Sequence, residues 1–194
     1  MSLVPGPPHH AGVVVPLRGF TSGKARLAEV LNDEERVQLA TMMADAVVDA
    51  AGPLPVTVVS SAPEVRSWAA TRGLTLIDDP GSGLDAAVCA GRDALRVNGC
   101  QQVIVAHADL PRARPGSLVP FGTFEPTTVT IVPSHRDDGT PVLAVPSEVD
   151  FEFSYGIGSA RRHAAIARRL GLAVRVIRDA DLGYDVDLPE DLES

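Results

Sequence analysis

Between residues 12 and 111 short apolar runs alternate with helix-like segments, and this alternation constrains the fold more than any other feature of the chain. "GVVVPL" (12–17), "PVTVVSS" (55–61), "LTLIDD" (74–79) and "QQVIVAHADLP" (101–111) read as strands, the last running out into a loop. "DEERVQLATMMADAVVDAAG" (33–52), "APEVRSWAATRG" (62–73) and "GLDAAVCAGRDALRVNG" (83–99) read as helices. Asn32 is the expected N-cap of the first, with acids in its first turn and Gly52 at its end. Strands apolar on both faces belong in a mostly parallel sheet covered by helices. The second half differs. "TTVTIVPS" and "PVLAVPS" are strands with no helix between them, and the helix "GSARRHAAIARRLG" (158–171) and the strand "AVRVIRD" (173–179) follow. The expectation is an α/β fold of three layers around a mixed, mostly parallel sheet.

A chain of 194 residues is long enough for one domain with a sizeable core. We expect a disordered, proline-rich leader over 1–11 and a single domain over 12–194. His9 and His10 belong to that leader rather than to a metal-binding tail. The net charge of −8 argues against a non-specific nucleic-acid binder or an anionic-membrane binder, which would need a basic face. The start "MSLVPGPPHH" carries no apolar signal core, and no apolar run approaches bilayer length. Cys89 and Cys100 match neither a zinc pattern nor a disulfide framework, so a reducing cytoplasm is the expected location.

In sheets of this kind ligands bind beyond the carboxyl ends of the strands. The first exit, "LRGFTSGKARLA" (17–28), holds two glycines, two hydroxyls and the cations Arg18, Lys24 and Arg26, the makings of a phosphate cradle. It is neither a Walker A loop nor Gly-x-Gly-x-x-Gly, and alone it reads equally as a solvated basic loop. The second, "HADLP" (107–111), puts Asp109 just past an apolar strand, where it could ligate a metal or cap a turn. The third, "YDVDLPEDL" (184–192), puts Asp185 and Asp187 on one side of an extended segment. Two such acids can hold Mg²⁺ through oxygen, although alone the run reads slightly better as a strand end and a cap for "PEDL". "GTPVL" (139–143) and "FSYGIGSARRH" (153–163) add glycines and Ser159 before a helix, either an anion site or an ordinary turn. His163, inside that helix, reads as structural. A basic loop together with three strand-end aspartates suggests a nucleotide–metal site.

The set "VVVPLRGFTSGKARLA", "ADLP", "GTPVL", "YGIGSARRH" and "DVDLPEDL" resembles, in order and from about residue 12 onward, the guanylyltransferases of coenzyme F(420) biosynthesis. That family joins GMP to 2-phospho-L-lactate or phosphoenolpyruvate on a fold similar to nucleotide-diphospho-sugar transferases (GT-A-like, Rossmann-like). The resemblance implies that Asp109, Asp185 and Asp187 hold Mg²⁺ and the acceptor, with Lys24, Asp109 and Asp187 catalytic. It implies that Thr140, Gly156 and Ser159 bind the acceptor's phosphate. Arg18, Lys24, Arg26, Gly83 and Asp85 would face the nucleotide, with the loop 79–85 as candidate base reader. The implied partners are GTP and a small phosphorylated carboxylic acid, with no nucleic acid, no membrane, and a homodimer as an open expectation. The sequence departs from the family pattern at Ser134-His135 (usually Asp-Arg), Pro141 (usually Asn), Asp85 (usually Asn) and Leu188 (usually Thr). These changes bear on the acceptor and the base, and they leave the three aspartates in place. The rivals are a nucleotidyltransferase of the same fold acting on 3-phosphoglycerate or a molybdopterin-type phosphate, and a non-catalytic nucleotide-binding paralogue.

Overall fold

Each apolar run becomes a strand of one sheet. The structure, a computed structural model, describes residues 10–21, 25–123 and 125–192. In chain order the elements are β1 (Ala11–Pro16), α1 (Asp33–Ala50), β2 (Val56–Val59), α2 (Pro63–Thr71), β3 (Thr75–Ile77), α3 (Leu84–Val97), β4 (Gln102–Ala106), β5 (Thr128–Val132), β6 (Val142–Pro146), α4 (Ser159–Arg169) and β7 (Ala173–Val176). Short 3-10 turns occupy Ala25–Glu29, Val119–Gly122 and Pro189–Leu192. The strand β1 opens at Ala11, which corrects the leader boundary by one residue. The Gln102 amide donates to the His10 carbonyl at 2.8 Å, so the β1–β4 ladder already holds the chain there. Residues 1–9 of the expected leader lie outside the described residues.

Local chemistry starts and stops the helices as the sequence leads one to expect. Asn32 and Glu35 form a reciprocal capping box at α1: the Glu35 amide donates to Asn32 Oδ1 at 3.0 Å and the Asn32 amide to Glu35 Oε2 at 2.8 Å. Pro63 occupies the first turn of α2, where its missing N–H costs nothing. Trp68 and Arg72 of α2 both donate to Asp45, at 2.9 and 2.8 Å, and tie α2 to α1.

The strand order is β3-β2-β1-β4-β6-β5-β7. All neighbours pair in parallel except at β6, which runs against both β4 and β5. Alternation along the strands sends side chains to opposite faces. Val14, Val103, Val105, Val129 and Ile131 meet α3 and α4. Val13, Val15, Ile104 and Val132 meet α1, with Leu110, Leu118 and Phe121 completing that layer. The helix α2 covers β2 beside α1 through Val58, Val65 and Ala44. On the opposite face α3 lies so close to β1 that a Cβ at Gly91 would stand 2.4 Å from Val14 Cγ1. That contact requires glycine and fixes the helix over the strand.

This topology gathers one edge of the sheet. The carboxyl ends of β1, β2, β3, β4, β5 and β7 face the same way. Because β6 is reversed, its beginning, Gly139-Thr140-Pro141, arrives at that same edge.

Candidate active site

Two cavities open at this edge, one on each side of Arg18. The first, about 240 Å³, is walled by Arg18, Met43, Leu84, His107, Asp109 and Asp187. The second, about 320 Å³, is walled by Arg18, Val59, Asp79, Gly81, Gly83 and Leu84. Arg18 is exposed, and among the described residues it pairs with no carboxylate. A guanidinium left in this way between two cavities suits an anionic ligand spanning both.

The three aspartates converge. Asp109 sits three residues beyond β4, and its carbonyl accepts from the Val186 amide at 3.2 Å. That bond brings "YDVD" against the β4 exit. Tyr184 and Val186 are buried with Leu27 and Met43, so Asp185 and Asp187 occupy the alternate, half-buried positions. The segment is extended but pairs with no strand. Burial, then the charge of Asp109 and more weakly that of Asp187, push the Asp185 carboxyl above its usual pKa against a hydrogen bond from its own backbone amide and the smaller influence of His135. Asp185 Oδ1 is buried and makes no hydrogen bond, with His135 Nδ1 at 3.2 Å. Converging acids with an unsatisfied buried oxygen fit a hard cation. Among the described residues no group of three or more His, Cys, Asp or Glu side chains closes a metal cage. An open site of this kind fits Mg²⁺, which keeps waters and takes only one or two carboxylates plus substrate oxygens, and does not fit zinc.

A buried carboxylate sets the backbone under Asp187. Asp191 Oδ2 accepts from the Asp187 and Leu188 amides, each at 2.8 Å, and the Arg136 guanidinium forks onto both oxygens. Burial alone would raise the Asp191 pKa; the two amides and Arg136 outweigh it and hold the carboxyl below its usual value. His135 stacks on Tyr184 with ring centroids 4.7 Å apart, and the Arg112 guanidinium lies 3.6 Å from the centre of the Tyr184 ring. Tyr184, next to Asp185, is thus braced by an imidazole and a guanidinium.

Thr140 and Ser159 also meet, but not as open ligand donors. Their hydroxyls lie 2.8 Å apart and both residues are buried. His163 Nδ1 is 3.2 Å from Thr140 Oγ1, and its Nε2 accepts from the Ser154 amide at 3.1 Å. His163 is therefore structural, as read from the sequence, and burial lowers its pKa to about 4. This group backs the first cavity through Tyr155, whose ring centroid is 4.8 Å from that of His163 and 5.2 Å from that of His107. Gly156 (φ +100°) lies in the exposed bend before α4 and walls neither cavity. At the second cavity Gly83 forms part of the wall, whereas Asp85 accepts from the Tyr155 amide at 2.8 Å and so ties α3 to the loop before α4. Arg26 is exposed on its 3-10 turn and walls neither cavity. Lys24 lies outside the described residues.

The family model described as "Guanylyl transferase CofC like" matches residues 11–194. The chain belongs to this family. A phosphoenolpyruvate guanylyltransferase of Sphaerobacter thermophilus is 34% identical over 93% of this chain and 89% of its own. A 3-phospho-D-glycerate guanylyltransferase of Phenylobacterium zucineum is 31% identical over 93% and 87%. The fold is that of a solved nucleotidyl transferase from Methanothermobacter thermautotroptrophicus (TM-score 0.67, 19% identity, 94% of each chain). Three residues at this edge escaped the sequence reading: His107, Arg112 and Asp191; Asp79 belongs to the loop 79–85 already read from the sequence, without being singled out within it. His107 follows β4 by one residue, so strand-exit logic could have found it. Arg112 and Asp191 act through Tyr184 and the Asp187 backbone, contacts that exist only once the chain is folded.

Proposed function

We propose that this protein transfers GMP from GTP to a small phosphorylated carboxylic acid, with phosphoenolpyruvate as the first candidate, and releases pyrophosphate. The observation that carries this reading is Arg18, unpaired among the described residues and shared by two adjoining cavities, with Asp109 and Asp187 across the first of them. The acceptor phosphate is ionised at neutral pH and needs no general base. Its oxygen attacks the α-phosphorus of GTP, the bond from that phosphorus to the α–β bridging oxygen breaks, and pyrophosphate departs. With phosphoenolpyruvate the product is enolpyruvyl-2-diphospho-5′-guanosine. The barrier is the approach of two anions, so positioning and charge stabilisation do the chemistry. Asp109, Asp185 and Asp187 would share the binding of Mg²⁺, one or two of them as direct ligands, and the ion would supply charge neutralisation to the phosphate oxygens when bound. Arg18 draws the triphosphate across the boundary of the cavities. Lys24, on the sequence reading, neutralises the leaving pyrophosphate. Asp191 keeps the Asp187 backbone in place, and Thr140, Ser159 and His163 stiffen the acceptor side from behind. The resemblance supports a role in coenzyme F(420) biosynthesis, and the free thiols Cys89 and Cys100 support a reducing cytoplasm.

A second acceptor, 3-phosphoglycerate, is favoured by one feature. Positions 134, 135 and 141 depart from the family pattern, and here they form the turn and strand start beside Asp185 and His107. The test is pyrophosphate release from GTP and Mg²⁺ with phosphoenolpyruvate, 2-phospho-L-lactate and 3-phosphoglycerate in parallel. Release with phosphoenolpyruvate is expected. Release with 3-phosphoglycerate alone would replace it by the second acceptor, and release with none would reject transfer to these acids.

A further inference from the structure

The second cavity combines apolar walls with two opposite charges. Pro16, Leu17, Val59 and Ala87 supply apolar wall, Arg18 comes from the exit of β1, and Asp79 comes from the exit of β3, two strands away. Asp79 is half-buried, and its Oδ1 accepts from the Gly81 amide at 2.8 Å. Its carbonyl accepts from Ser61 Oγ at 3.3 Å, so both backbone and side chain are held. Arg66 pairs with the neighbouring Asp78 at 2.5 Å, and among the described residues Asp79 has no cationic partner. Asp85, the other acid of this loop, is taken by the Tyr155 amide. Asp79 is therefore the carboxylate that this cavity presents to a ligand. Gly83, at φ +97°, turns the chain into α3 without a side-chain cap, so the first amides of that helix also lie at the rim.

We propose that Asp79 reads the base of the nucleotide by accepting hydrogen bonds from N1–H and the 2-amino group of guanine. The proposal rests on the transferase reading for the triphosphate end, where Arg18 lies. A purine fits between apolar walls, and a carboxylate offers two acceptors to guanine's two adjacent donors. Adenine turns a lone pair at N1 toward the same carboxylate and is repelled. A helix N-terminus near O6 adds donors that adenine's 6-amino group cannot use.

The test is a swap of preference, read as binding by calorimetry without any acceptor, so that it stands apart from catalysis. Xanthosine triphosphate keeps N1–H but carries a carbonyl oxygen where guanine has its amino group. In Asp79→Asn the side-chain oxygen stays on the Gly81 amide and an NH₂ replaces Oδ2, which matches xanthine and mismatches guanine. Wild type should bind GTP about ten- to a hundredfold tighter than xanthosine triphosphate, and the variant should reverse the order. In wild type alone, inosine triphosphate and 1-methyl-GTP should each bind roughly tenfold or more weakly than GTP, because each lacks one of the two donors. A variant that keeps the preference for GTP over xanthosine triphosphate overturns the proposal. So does a wild type that binds 1-methyl-GTP as well as GTP, whatever the variant does. If the base preferences hold but no phosphorylated acid accepts GMP, the transferase reading fails and the assignment of Asp79 stands.

Discussion

At the scale of single residues, Asp185 holds the least comfortable charge of the site. Burial and the carboxylates of Asp109 and Asp187 raise its pKa, so without a cation its ionisation costs stability as pH rises above the ordinary carboxylate range. Asp185→Asn should therefore raise the melting temperature of the protein in EDTA. With Mg²⁺ and GTP the order should reverse, because only the wild type gains the full stabilisation of ligand binding. Melting curves of both proteins under both conditions check this, and equal ligand-induced shifts would remove Asp185 from the cation site. Arg18 makes the opposite case, an exposed cation that pairs with no carboxylate among the described residues. Arg18→Ala should leave the melting temperature unchanged and lower kcat/KM for GTP by roughly ten- to a hundredfold, the loss of a charge-assisted contact. Steady-state kinetics measure it. His163 bears on pH. Its folded pKa of about 4 lies below the ordinary 6.5, so the unfolded chain takes up the proton first. The stability it confers is complete above pH 6.5 and is lost as pH falls toward 4, about 3 kcal/mol in all. Chemical denaturation at pH 7 and pH 4.5 should register that loss, and His163→Gln should flatten the difference.

At the scale of elements, the "PEDL" turn and the "DVD" segment behave as one unit. Asp191 holds the amides of Asp187 and Leu188 and the Arg136 guanidinium at the same time. Asp191→Ala leaves two amides without their acceptor and takes the nearer carboxylate from the exposed Arg136, and should destabilise the protein by about 2–4 kcal/mol. Arg136→Met leaves the amides satisfied and should cost less, about 1–3 kcal/mol. Urea titrations of the two variants rank them, and equal costs would mean that Arg136, not the turn, holds Asp191. This unit also marks where reading the sequence stops. The strands β1, β2 and β4 were legible because valine-rich runs can be buried on both faces only in a covered sheet, and β3 (Thr75–Ile77), half-buried at the sheet edge, from its place in the β–α alternation. The start of α1 was legible because Asn32 and Glu35 are three residues apart. Asp109, Asp185 and Asp187 were found because ligands gather at strand ends. In the folded segment Asp185 and Asp187 alternate with the buried Tyr184 and Val186, half-buried rather than solvated and on no strand, and Asp191 within the turn reaches back to the Asp187 and Leu188 amides in place of the cap read in front of "PEDL". The pairing of Thr140 with Ser159 was not legible. Nothing in either motif tells that β6 and α4 press the two hydroxyls together and bury them. The same holds for Asp85, whose partner is a backbone amide 70 residues away.

At the scale of the whole molecule, one reversed strand makes the site. With β6 antiparallel, the start of that strand joins six carboxyl ends at a single edge, so that Arg18, Asp79, Asp109, Pro141, His135 and Asp187 come from six different segments. The protein carries a net charge of −8, yet at this edge Arg18, with no carboxylate partner among the described residues, walls both cavities. An acidic molecule with a local cation at its active edge is suited to small anionic substrates and not to a polyanion. The central claim is that this edge joins a nucleotide to a phosphorylated acid. The most direct measurement is ³¹P NMR of the purified protein with GTP, phosphoenolpyruvate and Mg²⁺. The account predicts loss of the phosphoenolpyruvate resonance with appearance, in equal amounts, of pyrophosphate and of the coupled pair of signals of a diphosphate diester. GTP that stays intact beside unchanged phosphoenolpyruvate, 2-phospho-L-lactate and 3-phosphoglycerate, or that is merely hydrolysed, would contradict it.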